Sequence, residues 1–255
     1  MIRLTRPPLS TVLPDAAAQA RLAARIAKAA KLPANAKKIT SRWNSFVAGR
    51  GLDKSIGPTL CRAVRAVAWE KCASCEAPKA ATVDHFWPKS LYPQRMFVWD
   101  NLFPACRDCN SEKRAEFPLD AGRPVLLNPV DDEPLDHFRW DHVTGECSYA
   151  PTDRRAQETH RGFALDRLKA ERLHKLSNLR GFFTLIERGE RSATTLSLLR
   201  AELDPTRPYL GIVRSYLLFP PNDDEARLVR AAVAAVPDIV AWTAAGERLV
   251  GQVSK

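Results

Sequence analysis

A mainly α protein with a small α+β centre is what this sequence predicts. Three observations lead there. Apolar residues recur at helical spacing through the first 70 residues, and the same spacing returns after Pro151. Between them, from Lys71 to about Pro118, periodicity gives way to cysteine, proline and aromatic residues. The expected organisation is an N-terminal basic helical region over residues 1–70, a compact centre over 71–118, and a hairpin with a C-terminal helical region over 119–255.

The elements follow in order. PDAAAQARLAARIAKAAKL reads as an amphipathic helix, because Leu22, Ile26 and Ala29 form one stripe and basic residues lie elsewhere. KKITSRWNSFVAGRG continues with Trp43, Phe46 and Val47 at helical spacing and Gly49 or Gly51 as the stop. TLCRAVRAVAWE predicts a third helix: Leu60, Val64 and Val67 repeat at i, i+4 and i+7, with Arg62 and Arg65 on the other side. Beyond the centre, HFRWD and ECSYA flank a turn at residues 142–145 and predict a hairpin. DRLKAERLHKLSNLRGFFTLIERG brings Leu168, Leu176, Leu179 and Phe183 near one face, and three further helices are expected to start near Ser192, Arg207 and Asp223.

With 255 residues and 45% apolar content the chain can bury a core, which excludes a disordered tail. A net charge of +10 points to a polyanionic partner. The excess is concentrated: residues 1–50 carry ten lysines and arginines against one acid, Asp15. The basic start lacks the continuous apolar run of a signal peptide. The most apolar tract, AAVAAVPDIVAWTAAG, is short and interrupted by Pro237 and Asp238, so no membrane span is expected. A cytoplasmic location follows as the expectation, and in that reducing compartment paired cysteines point to metal rather than to disulfides.

Four of the six cysteines form two such pairs, Cys72-Ala-Ser-Cys75 and Cys106-Arg-Asp-Cys109. Each offers two thiolates across a tight turn, and two turns close a tetrahedron of the kind that holds structural Zn²⁺. The 30 residues between Cys75 and Cys106 exceed the usual spacing of about 15–20, so the interval should hold structure of its own. Cys61 and Cys147 lack partner spacing and read as small core residues. His137, His142, His160 and His174 have no matching frame and read as surface or satisfied polar residues, while Trp87 and Trp99 read as packing residues.

Inside the interval stand Asp84, His85 and Asn101; Asn110 follows the last cysteine, with Lys113 one helical turn on. CASC, then VDHFWPKS, then WDNLFPACRDCNSEK together resemble an HNH endonuclease of the ββα-metal class whose finger is tied by a four-cysteine zinc site. The likeness covers residues 72–113, and the stretch LYPQRMFVWD stands where many such proteins carry a Gly-Gly. It implies His85 as the base that activates water, Asp84 and Asn110 as ligands of a catalytic Mg²⁺ or other divalent ion, and Asn101 as a support that orients the histidine. The residue types suit that chemistry: an imidazole near its ordinary pKa of about 6.5 accepts a proton at neutral pH, and oxygen donors match a hard cation. On a strand, neighbouring side chains face opposite ways, so Asp84 and His85 are expected to need a bend to reach one substrate atom. Lys89, Arg107, Lys113 and Arg114 are candidate phosphate contacts.

Further on, LLNPVDDEPLDHFRWDHVTGE and ETHRGFALDRLKAERLHKL resemble the nuclease subunit of Septu-type and retron-associated antiphage systems. That likeness implies a defence effector acting on nucleic acid, DNA before RNA, beside an ABC- or SMC-like ATPase docked by the helical regions. The alternatives are a standalone or homing-type HNH DNA endonuclease, for which no reading module is apparent, and an inactive zinc-finger nucleic-acid-binding protein.

Overall fold

The computed structural model describes residues 1, 3–50 and 54–237. The helix stop considered at Gly51, and the apolar tract from residue 238 onward, lie outside the described residues. Among the described residues the protein is mostly helical, with three small antiparallel strand pairs and the four-cysteine cluster at its centre. No described helix is long and apolar enough to cross a membrane.

The N-terminal region holds α1 (Leu9–Val12), α2 (Ala16–Ala30), α3 (Lys38–Val47) and α4 (Ile56–Ala66). Asp15 caps α2 by accepting from the amides of Ala17 and Ala18. The apolar stripes meet in one core of Leu22, Trp43, Phe46, Leu60 and Val64, which also takes Met96, Phe97, Trp99 and Leu102 from the centre. The approach of α3 to α4 needs Gly57, because a Cβ there would stand 1.9 Å from the Phe46 carbonyl oxygen. Helix α4 ends at Ala66, short of the predicted Glu70, since Trp69 and Glu70 turn into left-handed backbone at φ +50° and +60°.

In the centre β1 (Thr82–His85) pairs antiparallel with β2 (Leu102–Ala105), with Thr82 opposite Ala105 and His85 opposite Leu102. Helix α5 (Arg107–Lys113) follows at once, N-capped by the Cys106 sulfur, so the order is β, β, α. Between the strands run two 3-10 turns, Pro93–Arg95 and Trp99–Asn101.

Downstream come β3 (Leu119–Asp120), β4 (Arg123–Pro124) and α6 (Pro134–His137). The predicted hairpin is present but short, as β5 (Arg139–Trp140) and β6 (Cys147–Ser148) around a turn in which Asp141 accepts from Val143 and Thr144. Then follow α7 (Arg154–Phe163), a 3-10 turn at Leu165–Leu168, α8 (Lys169–Glu187), α9 (Ala193–Leu203), α10 (Leu210–Leu218) and α11 (Asp223–Ala235). Ser192 and Asn222 cap α9 and α11 where starts were expected. Helix α10 starts three residues after Arg207 because Tyr209 is left-handed at φ +58°.

Both cysteine pairs belong to the same continuous core as Phe138, Trp140, Leu176, Leu179, Phe183 and Tyr216 of the C-terminal region. Polar ties reinforce that seam. Lys71 Nζ donates to the carbonyls of Pro205 and Arg207 at 2.5 and 2.9 Å. The buried Glu76 accepts from the Gly211 amide at 2.8 Å, an approach that a Cβ at Gly211 would block, standing 2.3 Å from a Glu76 oxygen.

Candidate active site and metal centre

The Sγ atoms of Cys72, Cys75, Cys106 and Cys109 all lie within 4.8 Å of one another, and all four residues are buried. Zinc–sulfur bonds of about 2.3 Å in a tetrahedron require sulfurs roughly 3.8 Å apart; Cys75 and Cys106 stand at 3.7 Å. The spacing and donor chemistry therefore fit a single four-coordinate ion.

Arg167 completes this centre, and sequence reading missed it. It comes from the 3-10 turn before α8, and its Nη2 lies 3.0 Å from Cys109 Sγ and 3.5 Å from Cys106 Sγ. Burial works against its charge, but the hydrogen bond to Cys109 and the neighbouring sulfurs more than offset this and raise its pKa. Nothing in the spacing of an arginine 58 residues after Cys109 signals this contact.

Strand β1 divides its side chains between two faces, as pleating requires. Thr82 and Asp84 face α5. Thr82 Oγ1 donates to the Ala105 carbonyl at 2.9 Å, so it must accept from Asn110 Nδ2 at 3.2 Å. This orients the Asn110 amide with its nitrogen toward the strand and leaves its oxygen as an acceptor. One helical turn on, Lys113 Nζ donates to Asp84 Oδ2 at 2.7 Å and to the His85 backbone carbonyl at 2.5 Å. The expectation that Lys113 is a phosphate contact is therefore corrected: its side chain is fully buried, because Asp84 draws the ammonium into the strand–helix interface. Arg107 and Arg114 remain exposed.

His85 points the other way. Its Nε2 donates to the Met96 carbonyl at 3.0 Å in the tautomer that leaves Nδ1 as the proton acceptor, and its ring meets Trp43 edge-on with centroids 4.3 Å apart. The residue is only 3% exposed. Burial first, then the nearby Lys89 charge, hold the imidazole well below its ordinary pKa of 6.5. That corrects the expectation of an untuned histidine; the cause is the packing of Trp43 and the 86–101 loop around it. Lys89 is half-buried, its amine pushed down by burial and partly restored by the charge of Asp84.

Asn101 closes the loop that covers His85. Its Oδ1 accepts from the Trp87 amide at 2.7 Å, and its Nδ2 donates to the carbonyls of Trp87 and Arg95, both at 3.0 Å. LYPQRMFVWD thus acts as a folded strap that presents the Met96 carbonyl to the imidazole.

The remaining candidates are structural. Cys61 and Cys147 are buried, and burial pushes their thiols up to about 11 and about 12. His137 pairs with Asp153 at 2.7 Å, His160 with Asp166 at 2.9 Å, and His174 with Asn178 at 3.3 Å. His142 packs against Tyr216, its Nε2 buried without a partner. Trp99 is buried against the N-terminal core, and Trp87 packs on Tyr92 and Phe117.

Comparison with known proteins agrees with this geometry. Residues 72–116 match the HNH endonuclease family, so the ββα centre is an HNH domain. The chain is similar to the Septu protein PtuB of Bacillus thuringiensis, with 35% identity over 74 residues, or 27% of this chain and 28% of that protein. It is also similar to protein ea31 of Escherichia phage lambda, with 29% identity over 103 residues, or 36% of this chain and 35% of that one. These matches span about a third or less of both relatives. No solved structure matches the chain significantly.

Proposed function

We propose that this protein is a metal-dependent endonuclease that hydrolyses phosphodiester bonds of nucleic acid. The observation that carries the reading is β1 itself: a single short strand holds Asp84, ion-paired to Lys113 of α5, and, one residue later, an imidazole fixed by a backbone carbonyl. His85 Nδ1 takes the proton of the attacking water, and the Met96 carbonyl stabilises the ring as it becomes charged. Asn101 keeps that carbonyl in place.

The four-cysteine site is assigned to structural Zn²⁺ on the sulfur spacing above. For the catalytic ion, Lys113 already holds Asp84 Oδ2, so a divalent ion would bind through the carboxylate's other oxygen or displace the ammonium. Asp84 and the oxygen of Asn110 would hold a hard divalent ion such as Mg²⁺. Such an ion supplies charge neutralisation at the phosphate and the leaving oxygen. Lys89, whose charge acts on His85, steadies the anionic phosphate, and the exposed Arg107 and Arg114 extend the positive surface along α5.

The biological reading is an antiphage nuclease effector in the bacterial cytoplasm, in which the helical regions around residues 71–118 dock an ABC- or SMC-like ATPase. Its support is the likeness to a Septu protein. Copurification with the product of the neighbouring gene tests that partner.

Cleavage is tested with His85→Ala. The variant should stay folded and keep its zinc, by circular dichroism and metal analysis, yet lose plasmid and RNA cleavage by at least a hundredfold, the scale of a lost general base. Retained cleavage would remove His85 from the mechanism.

A further inference from the structure

The HNH match over residues 72–116 assigns nothing to the segment that precedes α1, yet that segment lies against the finger. The Leu4 amide donates to the Pro129 carbonyl at 2.7 Å, and the Trp99 indole donates to the Pro7 carbonyl at 3.0 Å. Between these two ties stands Arg6. Its place before Pro7 favours extended backbone, and Pro8 continues the extended run at φ −56° and ψ 148°. The Arg6 Nη2 donates to the Leu102 carbonyl at 2.7 Å, and its Nη1 donates to the Trp99 carbonyl. The guanidinium also stands over the rings of Trp99 and Phe103, at 4.9 and 4.6 Å.

The two carbonyls bracket Asn101. That residue is the corner at which the strap over His85 becomes β2: its side chain holds Trp87 and Arg95, and its backbone carbonyl accepts from the Phe86 amide at 2.9 Å. Hydrogen-bonded and non-hydrogen-bonded positions alternate along an antiparallel pair. The next residue, Leu102, stands opposite His85 and so turns its carbonyl away from β1, where Arg6 satisfies it. Phe103, under the same guanidinium, stands opposite Asp84. One side chain therefore holds the cross-strand partners of both residues to which the chemistry is assigned. Burial lowers the Arg6 pKa to about 10 and Asp100 and Asp131 hold it up, so the group is charged at neutral pH. A planar fork reaches two carbonyls at once in a fixed geometry, which a single ammonium does not reproduce.

We propose that Arg6 is a positioning residue for the cleavage reaction: its guanidinium fork fixes the corner at Asn101 and, through it, the placement of His85. The proposal deepens the nuclease reading and rests on it for the reaction, whereas the state of the corner can be read without cleavage. Arg6 acts through Asn101 and β2 and not on the substrate, so its loss should lower kcat and spare KM. A misplacement of about 1 Å at the reacting groups costs about a hundredfold, even when its origin is remote.

The experiment compares the zinc-loaded full chain with Arg6→Ala, Arg6→Lys and Arg3→Gln, the last removing an exposed charge from the same segment. On supercoiled plasmid and on labelled RNA with Mg²⁺, Arg6→Ala should lose roughly 10–100-fold in kcat with KM nearly unchanged. Arg6→Lys keeps the charge without the fork and should recover little, while Arg3→Gln should match the parent. Arg6 lines a groove of about 420 Å³ with Pro7, Pro8, Trp99 and Asp100, which gives methylguanidinium a route to the vacated space. That salt should restore much of the kcat of Arg6→Ala and leave the parent unaffected. Independently of cleavage, hydrogen exchange followed by NMR should show the Phe86 amide and the Asn101 side-chain amide losing protection in Arg6→Ala, with α3 and α8 as protected as in the parent. If Arg6→Ala does not fold, Arg6→Lys carries the same comparison. A folded variant with unchanged kcat and unchanged protection at Phe86 and Asn101 overturns the proposal. So does a rise in KM at constant kcat, or a loss of protection spread evenly over α2 to α4 without rescue by methylguanidinium. Failure of the nuclease reading shows separately, as no cleavage by the wild-type chain, and the exchange measurement then still decides whether Arg6 sets the corner.

Discussion

Removing the zinc proposed for the four-cysteine site should dismantle far more than the finger around it. The four cysteines are buried in the core that includes Phe138, Trp140, Leu176, Leu179, Phe183 and Tyr216, whereas the N-terminal helices pack in a separate core with Met96, Phe97, Trp99 and Leu102. A structural four-thiolate zinc contributes about 10–16 kcal/mol of apparent binding energy, against a total stability of about 5–15 kcal/mol for an ordinary domain. Loss of the ion therefore removes an amount comparable to everything holding the C-terminal region folded. Stripping with a strong chelator under reducing conditions, followed by hydrogen exchange, should expose the amides of α7, α8 and α10, with α2 to α4 retaining more protection. Trp140, buried and stacked against the Arg172 guanidinium at 4.1 Å, should report the same event by fluorescence. If metal analysis shows the zinc gone while α8 exchanges as slowly as in the loaded protein, the shared core does not depend on the ion and the reasoning is wrong.

Arg167→Ala should weaken zinc binding roughly 10–100-fold, as outer-shell losses generally do, measured by competition with a chromophoric chelator; unchanged affinity would make the Arg167 contacts with Cys109 and Cys106 incidental. Lys113→Met leaves the Asp84 carboxylate buried without its counter-ion and should destabilise the protein by about 3–5 kcal/mol, with added Mg²⁺ recovering part of the loss; a denaturation midpoint equal to wild type would contradict the pairing. The pH profile tests the imidazole. Because the His85 pKa lies well below 6.5, the ring stays neutral as pH falls through 6.5, so the acid limb of kcat/KM should sit below that value. Lys89→Gln, which removes a charge that depresses it, should move the limb upward; a limb at or above 6.5 in the wild type would refute the tuning.

Much of this was legible in the sequence for physical reasons. The stripe of Leu22, Ile26 and Ala29 had to face a core, and the two cysteine pairs had only one economical arrangement, which the structure adopts. The starts expected near Ser192 and Asp223 hold because an N-terminal turn leaves amides that the Ser192 and Asn222 side chains satisfy. What stayed hidden depends on partners distant in the chain. Lys113 reads as a candidate phosphate contact until Asp84, 29 residues earlier, comes into hydrogen-bond range. The covering of His85 by Trp43 requires α3 to fold back onto the finger, which no local spacing encodes. The end of α4 at Ala66 was also invisible, since its apolar repeat continues through Val67 while the backbone reverses at Trp69 and Glu70.

Cys106 is the single residue between the end of β2 and the start of α5, and its sulfur is gripped from outside by Arg167. Lys71 and Glu76 anchor the other cysteine pair to the segments around α10 in the same manner. The C-terminal half is therefore geared to the proposed catalytic strand through the four-cysteine site, with no slack linker between them. A tilt imposed on α8 or α10 by anything that seizes them would be transmitted as torque on β2 and α5, turning Asp84 and Asn110 relative to each other instead of being absorbed along the way.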